Sequence, residues 1–318
     1  MNIDSALNRN EFFAVTVLPE EFNPHRTPIT FNLTHGRFIH ESLSIELELA
    51  PFAAYNANTA QAETSRKEHA QAIHAALNAI ENGKLEKVVI SCIKHASRSN
   101  QSLDTIFQKL KDHYPDAFVY ALHHPEYGTW MGATPELLVH KHATRFRTVS
   151  LAGTQLYSET QEIIWNDKLR REQSLVTDFI LETIKQCDCS NITMNGPYTA
   201  HAGPLIHLKT DIHFSGIEQS SKIIAQLQPT PAVCGLPRSA AFNFILNNTS
   251  LQRRLYAGRI GLRYRNEDEI HFVNLRCMQV FDDHFELHVG GGIVTGSNAD
   301  DEWMETEMKA DVLRNLIN

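Results

Sequence analysis

With 318 residues, 42% apolar side chains and a formal net charge of −8, the chain can bury a large core and has no basic excess for tracking a nucleic-acid backbone. No apolar run approaches the roughly 18 to 20 residues that cross a bilayer, and MNIDSALNRNEFF has no basic stretch followed by an apolar one, so a cytosolic protein is expected. The five cysteines (Cys92, Cys187, Cys189, Cys234, Cys277) offer one C-x-C spacing and no second pair, which argues against a disulfide framework or a zinc motif.

Period-two alternation at 12–17 and 44–49 predicts two early antiparallel strands. Ser65 with Glu68 is a capping-box spacing, and Ala70, Ile73, Ala76, Leu77 and Ile80 repeat at helical intervals until Asn82-Gly83. A strand at 87–90, a helix at 103–110 and a strand at 117–122 follow, then a hairpin of 136–140 with 145–150 and a long helix over 167–184. Strands at 205–214, 256–265, 270–280 and 285–289 enclose helices near 221–228 and 238–246, and an acidic helix closes the chain. Grouped strands with interspersed helices indicate an α+β protein on large antiparallel sheets, without the strict strand–helix alternation of a doubly wound fold.

Several residues are of types that suit chemistry. Lys87 opens the apolar run Val88-Val89-Ile90; burial there disfavours the ammonium and makes a general base, although a strand-end lysine also snorkels into water. The turn Gly132-Ala133-Thr134-Pro135 delivers Glu136 to the head of a strand, where burial would make it an acid and exposure would make it a cap. Gly153 and Thr154 offer an N–H beside a hydroxyl, as any turn does. Glu172 sits among Lys168, Arg170 and Arg171, the pattern of a helix-surface charge cluster. In the last fifth of the chain, Gly290-Gly291-Gly292 reads as a turn that brings backbone N–H groups close to an anion. Glu302 and Glu305 share a helix face able to hold a hard divalent cation, and Glu305 with Lys309 forms an i,i+4 pair.

Taken in order, these segments resemble the chorismate-binding enzymes, which include anthranilate, aminodeoxychorismate, isochorismate and salicylate synthases. The resemblance runs from Lys87 to the C-terminus through KVVIS, GATPELL, SLAGT, DKLRREQSLV, HLKT, PTPAVCGLPR, YAGRIG, NLRC, GGGIV and EWMETEMK. It implies an α+β fold: one large domain of two packed, mostly antiparallel sheets with outer helices, with residues 61–318 as the catalytic domain and residues 1–60 supplying strands that complete the sheet. The implied substrate is chorismate, the implied cofactor Mg²⁺, and a monomer is the family default.

The resemblance also implies roles. Lys87 is the base that activates water and Glu136 the acid for the departing C4 oxygen, which is the isochorismate-forming branch. Ammonia-using relatives carry glutamine at the position of Lys87, aminodeoxychorismate synthases carry a nucleophilic lysine at that of Ala152, and threonine is usual in other branches where this chain has Ala232. Glu172, Glu302 and Glu305 are the implied Mg²⁺ ligands. Gly153 and Thr154 are implied contacts of the ring carboxylate, and Arg276, Tyr256 and the Gly292 N–H those of the enolpyruvyl carboxylate, with His207 near the ring. The chain departs from the family at Gln173, where histidine is common, and at Leu169, where some relatives are acidic. A salicylate synthase using the same Lys87 and Glu136, and a non-catalytic chorismate-binding subunit, remain as alternatives. Menaquinone synthesis is the preferred pathway, and siderophore synthesis the second.

Overall fold

The computed structural model describes residues 59–317, apart from 99, 125–126, 161, 218–219 and 265–267, and the backbone of four strand segments before them. Those strands are β1 (Phe13–Val17), β2 (Ile29–Thr34), β3 (Arg37–His40) and β4 (Leu43–Glu48). Phe12 and Leu49, at the ends of two expected strands, and position 265, at the end of a third, lie outside the described residues.

The first helix, α1 (Arg66–Glu81), starts at the expected capping box. Ser65 accepts from the Glu68 N–H, and the Glu68 carboxylate accepts from the Ser65 N–H at 2.9 Å. Then come β5 (Lys87–Ser97), α2 (Leu103–His113), β6 (Phe118–His124), β7 (Gly128–Thr134), β8 (Leu137–His142), β9 (Arg145–Leu156) and α3 (Asp167–Gln186). The remainder is β10 (Ser190–Ala202), β11 (Leu205–Ser215), α4 (Ser220–Leu227), β12 (Gly235–Leu236), α5 (Arg238–Asn248), β13 (Arg259–Tyr264), β14 (Glu269–Val273), β15 (Cys277–Val280), β16 (His284–Val294) and α6 (Ala299–Ile317).

Every strand pairing is antiparallel. One half of the β structure runs β12-β5-β16-β15-β7-β6-β1 and the other β2-β3-β4-β13-β14-β8-β9-β11-β10. Alternation along β6 shows how the halves pack. Phe118, Tyr120 and Leu122 join a core with Val139, Phe146, Ile260 and Phe272 of the other half, whereas Val119 and Ala121 face Phe107 of α2 and Leu313 of α6. A third cluster seats Ile73 and Ala76 of α1 and Ala241 and Ile245 of α5 on Val88 and Ile90 of β5.

Three expectations are corrected. The run 270–280 is two strands broken at Arg276, whose φ of 46° lies in the left-handed region. β10 was not anticipated, because its residues are mostly exposed and polar and it is held by its ladder to β11. Gly290, Gly291 and Gly292 form no turn; they continue β16 in register opposite Ser91, Ile90 and Val89.

The breaks between halves position the site. Residues 135–136 carry the chain from β7 to β8, and 274–276 carry it from β14 to β15. The Val273 N–H donates to the Glu136 carbonyl at 3.0 Å and the Ala133 N–H to the Arg276 carbonyl at 3.1 Å, so the two crossovers hold each other. Asn274 ties both to the core, accepting from Tyr120 Oη at 2.6 Å and donating to the Leu255 carbonyl at 2.9 Å.

Candidate active site

Glu136 and Arg276, one on each crossover, face a cleft between the halves with a cavity volume of about 90 Å³. Gly153, Thr154, Glu172, His207, Tyr256 and Gly292 also line it, so eight of the residues anticipated from sequence share its wall. Lys87, Glu302 and Glu305 do not line it: Lys87 lies beside Glu172 on the face of the strand to which a Gly292 Cβ would point, and Glu302 and Glu305 on the face of Gly291. Lys309, Ala232 and His288 line the cavity as well; Lys309 was visible in the sequence only as a partner of Glu305, and His288 not at all.

Lys87 is fully buried and donates to Glu172 Oε1 at 3.0 Å across 85 residues of sequence. The neighbourhood of Glu172 is thus a buried ion pair, and the surface-cluster explanation fails. Burial pushes the Glu172 carboxyl up, but Lys87, Lys309 and Lys168 together hold it below the usual carboxylate range. Glu136 has no such pair. Burial pushes its carboxyl up to about 7 against the pull of Lys87 and of a long contact from Thr230 Oγ1 at 3.4 Å.

The glycines are required by what surrounds them. A Cβ at 292 would lie 2.2 Å from Glu172 Oε1, one at 291 would lie 3.0 Å from Glu302 Oε2 and 3.9 Å from Glu305 Oε1, and one at 290 would lie 2.9 Å from Tyr256 Oη. Beyond His288 nothing among the described residues pairs with the β15 side of β16, and the Gly290 carbonyl accepts from Lys309 Nζ at 2.8 Å. Strand alternation turns the Gly292 N–H to that same open edge. The turn expected here is replaced by a strand with an open edge.

Gly153 likewise belongs to a strand. It is a bulge in β9, where His207 opposes Thr154 and Leu208 opposes Ala152. Its φ is 73°, and a Cβ would sit 3.3 Å from the Leu169 carbonyl of α3, so conformation and space both demand glycine. The bulge aims its carbonyl at His207 Nδ1, 3.2 Å away, with Thr154 Oγ1 also at 3.2 Å. His207 Nε2 lies 2.6 Å from an Arg276 guanidinium nitrogen. Because guanidinium only donates, Nε2 accepts and Nδ1 carries the proton. Burial and the adjacent Arg276 push His207 well below its ordinary value, so the ring is neutral. Burial lowers Arg276 to about 10, still a cation at neutral pH, and its other nitrogen donates to the Ala202 carbonyl at 3.0 Å.

Three carboxylates and three lysines therefore gather around β16: Glu172 with Lys87, Glu302 with Lys168 at 2.6 Å, and Glu305 with Lys309 at 2.7 Å. Glu302 is buried, its Oε1 also accepts from Ser297 Oγ at 2.7 Å, and its Oε2 has no hydrogen-bond partner. Burial and the nearby Glu305 push the Glu302 carboxyl up. An orphaned, buried carboxylate oxygen with the Glu305 carboxylate beside it on the same side of Gly291 suits a hard divalent cation. The ligand atoms of Glu172, Glu302 and Glu305 do not converge within 4.8 Å as they stand; among the described residues only His95, His284 and Glu286 do.

A cleft with a buried lysine–carboxylate pair, an elevated carboxyl and a histidine-braced arginine defines a site for an anionic small molecule with acid–base chemistry. Comparison with known proteins agrees. The chorismate binding enzyme family matches residues 34–318, and the chain belongs to that family. It is 28% identical over 274 residues to isochorismate synthase MenF of Escherichia coli, covering 80% of this chain and 62% of that protein. It is 27% identical over 263 residues to the vibriobactin-specific isochorismate synthase of Vibrio cholerae, covering 77% of this chain and 65% of that one. The chain thus spans under two thirds of the length of these relatives. The solved structure of menaquinone-specific MenF from Escherichia coli superposes with a TM-score of 0.72 at 27% identity, over 83% of this chain and 64% of that one. Anthranilate synthase component I from Streptococcus pneumoniae shares the fold, with a TM-score of 0.68 at 21% identity over 79% of this chain and 58% of that one. Among the described residues, no helix is long and apolar enough to cross a membrane.

Proposed function

We propose that the chain is an isochorismate synthase, an isomerase that adds water at C2 of chorismate while the C4 hydroxyl leaves and the ring double bonds shift between. The observation that carries this reading is the pairing of a buried Lys87 with Glu172 close to a buried Glu136, whose carboxyl burial pushes up to about 7. The new C2–O bond releases a proton, taken by Lys87 Nζ as its own proton passes to the carboxylate of Glu172, to which it is already hydrogen-bonded. The C4–O bond breaks with its electron pair on oxygen, which takes the proton of Glu136 and departs as water. Atoms and charges balance without a redox partner.

Arg276, Tyr256 and the Gly292 N–H bind the enolpyruvyl carboxylate; Gly153 and Thr154 receive the ring carboxylate. His207 contacts Arg276, Gly153 and Thr154, so one neutral ring sets the spacing of both anion contacts. Glu172, Glu302 and Glu305 would hold Mg²⁺ after closing on it, and the ion would supply positive charge to the ring carboxylate. Residues 61–318 carry this chemistry, with 1–60 serving the sheet.

The test is incubation of the purified chain with chorismate and Mg²⁺, with an EDTA control, and chromatographic identification of products. Isochorismate without pyruvate, lost on chelation, is expected. Salicylate with pyruvate would move the chain to the lyase branch, and no turnover would return it to a binding subunit.

A further inference from the structure

β16 carries His284, Glu286 and His288 at alternate positions, and the period of two places all three on one face of the strand. His95 of β5 lies directly opposite Glu286 in the ladder, so a second imidazole joins that face from the neighbouring strand. His95, His284 and Glu286 each offer one ligand atom, and the three atoms lie within 4.8 Å of one another.

The hydrogen bonds around the histidines fix the tautomer of each ring. Asp283 Oδ1 lies 2.6 Å from His284 Nδ1 and accepts its proton, leaving Nε2 as the lone-pair nitrogen; that Nε2 is buried and has no hydrogen-bond partner. Phe281 stacks on the same ring at 4.9 Å with an interplanar angle of 6°, which fixes its plane. The Gln61 carbonyl lies 2.9 Å from His95 Nε2 and accepts from it, leaving Nδ1 as the lone-pair nitrogen. A carboxylate or carbonyl on the outer nitrogen is how metal-binding histidines are oriented and made more basic. The two rings sit 4.6 Å apart at 49° with no hydrogen bond between them.

Glu286 is buried. Its Oε1 accepts from the Gln61 N–H and its Oε2 from Arg254 at 3.3 Å, which leaves each oxygen a second lone pair. Arg254 accounts for the carboxylate as a counter-ion and competes with a cation for it, but it does not account for two imidazole nitrogens gathered within 4.8 Å of that carboxylate. His288, buried with neither ring nitrogen hydrogen-bonded, stands 3.8 Å from Oε2 on the same face. His95 and His284 are each part-buried, at the edge of the core.

We infer that His95, His284 and Glu286 form a binding site for a borderline-soft divalent transition ion of the Zn²⁺ class, separate from the carboxylate–lysine centre. Two imidazole nitrogens and one carboxylate with open positions suit Zn²⁺ or Co²⁺, whereas Mg²⁺ prefers oxygen throughout.

The test uses the untagged full chain, stripped of metal and held in excess Mg²⁺, titrated with CoCl₂. One equivalent of Co²⁺ with the visible d–d absorption of a nitrogen-ligated, low-coordinate ion is expected, displaced by ZnSO₄. His95→Gln and His284→Gln should each remove the band, with folding checked by circular dichroism. Asp283→Asn changes a side chain that is 87% exposed, so the fold is kept, and it should weaken binding by about 10- to 100-fold. Absence of the band in the wild-type chain, or a band unchanged in both histidine variants or in Asp283→Asn, would overturn the assignment. None of these readouts depends on turnover.

Discussion

Gly292→Ala isolates the geometry of the proposed base from its chemistry. Gly292 lies within β16 and is absent from the positive-φ glycines, so alanine is acceptable to its backbone and the whole cost is contact. The added Cβ would stand 2.2 Å from Glu172 Oε1 and 2.9 Å from Lys87 Cε. Carbon and oxygen tolerate little less than about 3.4 Å, so Oε1 must retreat by about 1 Å. That oxygen is the one accepting Lys87 Nζ at 3.0 Å, and the pair must open. A shift of this size at a reacting group costs about 100-fold in rate. The end of a glutamate can swing, so the stability loss is that of a crowded core, about 1 to 3 kcal/mol. The assay is initial-rate isochorismate formation alongside thermal unfolding. The expected result is a kcat about 100-fold down with Tm lowered by only several degrees. Gly291→Ala should act differently, since its Cβ would lie 3.0 Å from Glu302 Oε2; it should raise the Mg²⁺ concentration needed before it lowers kcat. Wild-type kcat in Gly292→Ala would refute the reasoning, as would indistinguishable behaviour of the two variants.

As the proposed acid, Glu136 must be protonated, and burial pushes its carboxyl up to about 7, so kcat/KM should fall as pH rises above 7, a limb absent from the residual rate of Glu136→Gln. The same shift has a stability cost. The folded-state value lies above the ordinary 4.5, so the folded protein is penalised as pH rises from 4.5 through 7, by up to about 3 kcal/mol. Glu136→Gln should therefore unfold at higher temperature than wild type at pH 8, and the gap should close by pH 4; a gap independent of pH would contradict the burial argument. Lys87→Ala should abolish turnover and, by stranding Glu172, lower stability by about 3 to 5 kcal/mol in denaturant titrations; near-wild-type rate would sink the mechanism. Arg276→Ala should raise KM about 100-fold with kcat less affected, through loss of a charge-assisted contact; equal loss of kcat at unchanged KM would place Arg276 elsewhere.

Local features were legible in the sequence and distant ones only in outline. The Ser65–Glu68 cap is decided within four residues of chain, and it stands as expected. The strand β10 is made of exposed residues such as Asn195, Gly196 and Pro197, whose polarity resembles a loop; its ladder to β11 supplies what composition does not. Arg276 looked like one position in a continuous apolar strand, and only the crossing between the two halves requires its left-handed backbone. The glycine run was read as a turn because glycine favours turns. Its cause here is the room taken by Glu172, Glu302 and Tyr256, none of which is a sequence neighbour. For Glu172 the basic residues around it suggested a solvated helix face, whereas its partner Lys87 arrives from a strand 85 residues away. The roles given to these residues came from ordered resemblance across the chain. The geometry adds that His207 joins Arg276 to the β9 bulge, which no spacing disclosed.

The match of Glu172, Glu302 and Glu305 with Lys87, Lys168 and Lys309 leaves that part of the cleft electrically neutral before anything binds. A divalent cation arriving alone would leave a surplus of two positive charges in a poorly solvated space, and a dianion arriving alone the opposite surplus. Arriving together, they cancel. Each should therefore tighten the binding of the other, and by the same factor, because the coupling is one free energy seen from two sides. For the proposed substrate, the Kd for chorismate should fall with Mg²⁺ as steeply as the Kd for Mg²⁺ falls with chorismate.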